Sequence, residues 1–232
     1  MLHAAAERPV TEGGWFQRRH SFATDVDGLD AAPHLGPLCL LNEDRIASGE
    51  GHPARRHRDM EMLLWVLEGA VEHQDSAGHI AVIEPGELVR LRAGRGVRRT
   101  VFNASDREPA RLVEFWIRPS VAGLAPDFER RRYEPAVLRG ALHLIASPDG
   151  ARDSIPIAQQ ARIHVGRFEP GEVDRLAAEP GRGWYAFCTR GALLVNGQAL
   201  AAGDALELHA PEAIEVSDGR GAELLLFELP LA

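Results

Sequence analysis

Apolar residues in this chain come in short stretches broken by Gly, Pro, Asp and Asn, with few windows of helical period. Leu38–Leu41, Met62–Leu67, Ile80–Ile83, Leu88–Leu91 and Leu112–Ile117 read as strands with turns between them. After residue 140 the pattern resumes with Ala141–Ala146, Ile163–Phe168, Tyr185–Cys188, Ala192–Val195, Ala205–Leu208 and Leu224–Leu229. Strand signals at this spacing predict an all-β chain of sandwich or barrel type, with helix in a few short pieces only. The longest strictly apolar run, Met62–Leu67, falls far short of the roughly 20 residues that span a bilayer.

One unit of this pattern occurs twice. Leu67-Glu-Gly-Ala-Val, Gly78-His-Ile-Ala-Val-Ile-Glu-Pro-Gly-Glu and Leu88-Val-Arg-Leu have counterparts in the second half. These are Thr189-Arg-Gly-Ala-Leu, Gly197-Gln-Ala-Leu-Ala-Ala-Gly-Asp and Ala205-Leu-Glu-Leu. Repetition of a whole hairpin unit favours two similar domains, and the chain of 232 residues is long enough for both. Arg118–Glu134, with Pro119, Gly123 and Pro126, reads as the connection, so the expected domains are 1–130 and 131–232.

Composition narrows the chemistry. The net charge of −8 does not suit a phosphate-backbone binder. All 26 basic residues are arginine, which removes Schiff-base and P-loop chemistry, since both need a lysine amine. Cys39 and Cys188 stand far apart and form neither a zinc cluster nor a disulfide framework. They read as buried reduced thiols. The N-terminus shows no signal or transit pattern, so a cytoplasmic location is the expectation.

Gly49-Glu-Gly, His57-Arg-Asp-Met-Glu-Met, Val66-Leu-Glu-Gly-Ala-Val-Glu-His, Glu84-Pro-Gly-Glu, Gly94-Arg-Gly-Val-Arg and Phe102-Asn-Ala-Ser resemble the N-terminal cupin of pirins. Leu144-Ile-Ala-Ser-Pro-Asp-Gly continues the likeness, which extends over nearly the whole chain. The resemblance implies two jelly-roll-type cupin β-barrels in one chain, with iron or another divalent metal in the first. Some pirins are quercetin 2,3-dioxygenases and others are regulators. The family's metal is held by a His-x-His pair and a His-x-Glu pair, because residues i and i+2 of a strand face the same side. Matched position by position, those ligands fall on Arg55, His57, Arg99 and Val101. Three of the four positions have thus lost a metal-ligating side chain, and no metal cofactor is expected.

The altered pocket admits three readings. Arg55, His57, Asp59 and Glu61 share one strand parity, so Arg55 or Arg99 pairing with Asp59 or Glu61 would seal the old metal site with internal ion pairs. Alternatively, the guanidinium groups bind a small organic anion, a use that suits planar and permanently charged arginine. Retained catalysis is the third reading, with His57 and Glu61 as candidate groups. His52 stands at an odd offset from His57 and faces away from it unless a bulge intervenes. His20, His73 and His79 read as exposed or hydrogen-bonded histidines.

Arg90, Arg92, Arg95, Arg98 and Arg99 form a basic run with Glu84, Glu87, Asp106 and Glu108 around it, which reads as a solvated mixed-charge surface. Trp15, Trp65, Trp116 and Trp184 read as core. The sequence therefore favours a metal-free pirin-like binding or regulatory module, monomeric and without membrane or nucleic-acid partners. A quercetinase-type oxygenase using iron or another divalent metal, and a protein-interaction module, are the alternatives.

Overall fold

A computed structural model describes residues 1–22 and 34–231. The first strand is β1 (Leu2–His3). There follow β2 (Val10–Gly13), β3 (Phe16–His20), β4 (Leu38–Ile46), β5 (Gly51–His57), β6 (Glu61–Glu68) and β7 (Val71–Asp75). Next come β8 (Ile80–Ile83), β9 (Glu87–Arg92), β10 (Val97–Asn103), β11 (Ala110–Ile117) and β12 (Asp127–Arg132). The rest are β13 (His143–Ser147), β14 (Ile155–Pro156), β15 (Arg162–Phe168), β16 (Asp174–Ala177), β17 (Arg182–Val195), β18 (Gln198–Ala201), β19 (Ala205–His209) and β20 (Ala213–Pro230). Among the described residues helix is confined to one 3-10 turn, Ala151–Asp153. The chain is all-β, as its hydrophobic pattern predicts.

Two compact units divide the chain: Pro9–His34 with Leu38–Tyr133, and Glu134–Ala232 with Met1–Arg8 and Leu35–Pro37. In the first, a four-stranded sheet (β5-β10-β7-β8) and a seven-stranded sheet (β12-β9-β6-β11-β4-β3-β2) form a jelly-roll-type pair. Their inner faces share one apolar cluster, which joins Val71, Ile83 and Val101 from the smaller sheet to Ile46, Leu64, Val66, Val89 and Leu112 from the larger. Such burial, at about 25 cal/mol per Å² of apolar surface, is the main force holding the two sheets together.

The second unit has one nine-stranded sheet, antiparallel except at β13–β14, along which the order is β1-β19-β17-β20-β15-β13-β14. Its two long strands differ from the sequence reading, which has Tyr185–Cys188 and Ala192–Val195 as separate strands. Both lie within β17, whose ladder with β20 slips at three places between Cys188 and Leu194 and so bends without breaking. Gly191 makes the bend sterically possible, because a Cβ there would stand 2.4 Å from the carbonyl oxygens of Arg220 and Gly221.

The 118–134 connection also differs from its sequence reading, since β12 lies within it and pairs with β9. Its sequence, Asp-Phe-Glu-Arg-Arg-Arg, has one apolar residue and gives no strand signal, yet an edge strand needs only its partner's ladder. Arg90 of β9 is almost fully buried beside it, 2.7 Å from Asp127 and 3.3 Å from Glu129. The basic run is therefore not one solvated surface: Arg90 and Arg99 point inward and carry acidic partners, whereas Arg95 and Arg98 are exposed. Both cysteines are buried, and among the described residues neither is in a disulfide. Trp65, Trp116 and Trp184 are buried, while Trp15 is only half-buried, packed against Phe16 and His52. No helix is long and apolar enough to cross a membrane among the described residues.

Candidate functional site

The ladder between β5 and β10 builds one wall of the candidate site. Along β10 the side chains alternate, with Val97, Arg99, Val101 and Asn103 buried and Arg98 and Phe102 exposed. Arg55 lies opposite Arg99 and His57 opposite Val97. The register then slips, so that Val101 faces His52. This bulge cancels the odd offset and brings His52 to the pocket side with His57. Gly51 ends the slip because β10 passes too close for a side chain: a Cβ would sit 2.4 Å from the Phe102 Cα and the Val101 carbonyl oxygen.

Arg55, His57, Arg99 and Val101 line one pocket, together with His52 and Pro53. The seven-stranded sheet supplies Arg18 from β3, Leu40 and Asn42 from β4, and Glu114 and Trp116 from β11. The cavity volume is about 50 Å³, room for a few waters or a small ion.

Two ion pairs set its electrostatics. Arg99 Nη1 donates to Glu114 Oε1, and Trp116 Nε1 donates to the same oxygen at 3.0 Å. Arg18 forks onto Asp44, with Nε 2.6 Å from Oδ1 and Nη2 on Oδ2, and Nη2 also lies 2.9 Å from His52 Nε2. Burial alone would raise the Glu114 pKa. The charges of Arg99 and Arg18 and the hydrogen bonds from Trp116 and Arg99 outweigh it and hold the carboxyl at about 2.

His57 has no such partner. Its Nδ1 is buried without a hydrogen bond, and the ring stands edge-on to Trp116 with centroids 5.1 Å apart. Burial and the nearby charges of Arg99 and Arg55 push its pKa down to about 4. At neutral pH it is an uncharged imidazole and a weak base, poorly matched to proton abstraction. Arg55 is exposed at the pocket mouth, and none of the ion pairs among the described residues includes it.

Behind Arg99 runs a hydrogen-bonded chain. Arg99 Nε donates to His73 Nδ1 at 3.3 Å, His73 Nε2 meets Asp75 at 3.0 Å, and His79 Nδ1 meets the same carboxylate at 3.0 Å. The His73 ring is stacked on Phe128 at 4.8 Å. Because Nδ1 accepts from a guanidinium, the His73 proton sits on Nε2, and the chain fixes the plane of Arg99. His20 is likewise hydrogen-bonded, to Thr11 and Asn42.

Two residues expected in the pocket lie outside it. β5 ends at His57, and Asp59 occupies a left-handed turn (φ 47°), accepting from the Gly123 N–H at 2.7 Å. Glu61 opens β6 in the other sheet and pairs with Arg92 at 2.8 Å. Strand parity cannot carry across that turn, so neither acid meets Arg55 or Arg99, and Glu61 is not beside His57 as a catalytic partner. The acid that pairs with Arg99 is Glu114, which the sequence reading does not single out. A signal for it exists: Leu112, Glu114 and Trp116 share one parity of a strand buried on both faces, and a charge in such a strand must be paired. Among the described residues no three His, Cys, Asp or Glu side chains are grouped so as to hold a metal ion.

Comparison with known proteins matches residues 3–117 to the Pirin family model and residues 144–229 to the quercetinase C-terminal cupin domain. Quercetin 2,3-dioxygenase of Escherichia coli is 34% identical over 231 residues, covering 99% of this chain and 98% of that protein. A pirin-like protein of Caulobacter vibrioides is 31% identical over 93% of each chain. Among solved structures, bacterial pirin YhhW from Escherichia coli in complex with nickel(II) superposes with a TM-score of 0.91 at 30% identity, covering 100% of this chain and 99% of that one.

Proposed function

This chain belongs to the pirin family of two-cupin proteins, and from that premise we propose that it works without the family's metal, as a binding protein for a small organic anion. The observation that carries this reading is the Arg99–Glu114 pair standing at a family ligand position. A guanidinium has no lone pair for a cation, and Arg99 is already held by Glu114 through Nη1 and by His73 through Nε. Val101 offers no donor atom. Of the four family positions only His57 could ligate. His52 and Glu114, which share the pocket, are engaged by Arg18 and Arg99, and one imidazole beside arginines does not make a divalent site. The residues present do not fit the metal.

They do fit an anion. Asp44 and Glu114 neutralise Arg18 and Arg99, which leaves the Arg55 charge at the mouth and the unpartnered His57 nitrogen inside. A carboxylate entering from solvent meets the guanidinium first and can then accept from the imidazole. The cavity takes a small head group and cannot enclose a flavonol. The test is a titration with acetate, followed through the imidazole resonances of His57. Saturable shifts that weaken about tenfold in Arg55→Gln support the reading. Shifts that never saturate, or that Arg55→Gln leaves unchanged, contradict it.

Likeness to the Escherichia coli quercetin 2,3-dioxygenase favours a second reading, oxygenase activity. For this chain that reading lacks the family's ligand set at Arg55, Arg99 and Val101, and elemental analysis for bound metal separates the two.

A further inference from the structure

The second unit has a pocket of its own, formed by β13, β15, β16 and β17 with the Ser147-Pro-Asp-Gly turn. Its volume of about 300 Å³ stands at the lower end of the usual range for small-molecule sites. Leu144, Leu176 and Trp184 supply apolar walls, and Arg152 and His164 supply polar ones.

Polar groups are left without partners in this pocket. Trp184 is 1% exposed and its Nε1 has no partner, although an indole N–H can only donate. His164 is 6% exposed and its Nδ1 is also buried without a partner. Arg152 is exposed at the rim, and no ion pair among the described residues includes it. It is held there in a left-handed conformation (φ 54°) by the turn before it, where Asp149 accepts from the Ala151 N–H at 3.1 Å and the Ser147 hydroxyl at 2.9 Å.

The neighbouring acids are already engaged. Asp149 closes its own turn, and Glu228 lies 3.0 Å from both Arg162 and Arg182. Buried polar groups in folded proteins nearly always have partners, so the Trp184 N–H, which can only donate, points to an acceptor from outside. Burial and the charges of Arg162 and Arg152 hold His164 at about pKa 4, which makes it a neutral imidazole at pH 7.

We propose that the C-terminal cupin carries a second small-molecule site, for a carboxylic acid with a compact apolar body. The carboxylate meets Arg152 and the Trp184 N–H, and the body rests on Leu144 and Leu176. A divalent cation is the wrong ligand for a pocket whose acids are already engaged and whose one imidazole stands beside Arg152 and Arg162.

The full chain is titrated with benzoate and, separately, with its neutral isostere benzamide, while the indole N–H resonances are followed. Expected are saturable benzoate shifts of the Trp184 indole, binding about tenfold weaker in Arg152→Gln and similarly weaker for benzamide. Trp184→Phe identifies the resonance. Arg152→Gln, at an exposed position, keeps the test valid if the tryptophan variant fails to fold. Benzoate binding that is absent, matched by benzamide, or lost in Arg55→Gln while intact in Arg152→Gln overturns the proposal.

Discussion

Arg99 and Glu114 form a buried pair whose two halves come from different sheets, and neither half could be kept without the other. Removing one partner of such a pair leaves an uncompensated charge, at a cost of about 3–5 kcal/mol. Glu114→Gln should therefore be less stable than wild type at pH 7 by up to that amount. The pH dependence has a definite sign. The Glu114 carboxyl is held at about 2, below its ordinary 4.5, so the stability it contributes is present above pH 4.5 and lost as pH falls towards 2. Denaturant titrations of both proteins across that window should converge, because the variant has no carboxylate to protonate. A constant gap down to pH 2 would mean that the pair contributes nothing through charge.

At the scale of elements, the β5 bulge does most to shape the pocket. It turns His52 inward without disturbing the Arg55–Arg99 register, and it depends on Gly51. Gly51→Ala places a Cβ 2.4 Å from β10 backbone, an overpacking that costs about 1–3 kcal/mol. Thermal melts should show that loss together with weaker packing of His52 on Trp15, read from the His52 ring resonances. An unchanged melting temperature would show that β5 can move away freely. Strands with a continuous apolar core were legible in the sequence, as Met62–Leu67 in β6 and Leu112–Ile117 in β11 demonstrate. β5, β7 and β12 were not, because their polar residues carry no apolar period and their pairing is decided by neighbours distant in sequence. Arg55, His57, Arg99 and Val101, the positions to which the family resemblance points, line one pocket, whereas Asp59 and Glu61 part from them at the left-handed turn. Glu114 and Arg18 reach the site through tertiary pairing; strand parity marks Glu114 as a charge that needs a partner, but local sequence does not say which partner.

At the scale of the whole molecule the chain keeps the two-cupin framework of its family, and the proposed function gives its first pocket an anion in place of a metal. The first unit has its paired sheets and the inward alternation of β10. On that wall Arg99 is paired internally with Glu114, while Arg55 stands exposed at the mouth, where the proposed function has it meet an anion. The most direct test is elemental analysis of the full chain after expression with ample iron and nickel and removal of loosely held ions. Metal far below one equivalent per chain is the predicted result, with gain of binding in the Arg55→His, Arg99→His, Val101→Glu variant. One tightly bound equivalent in the unaltered protein would contradict the metal-free account.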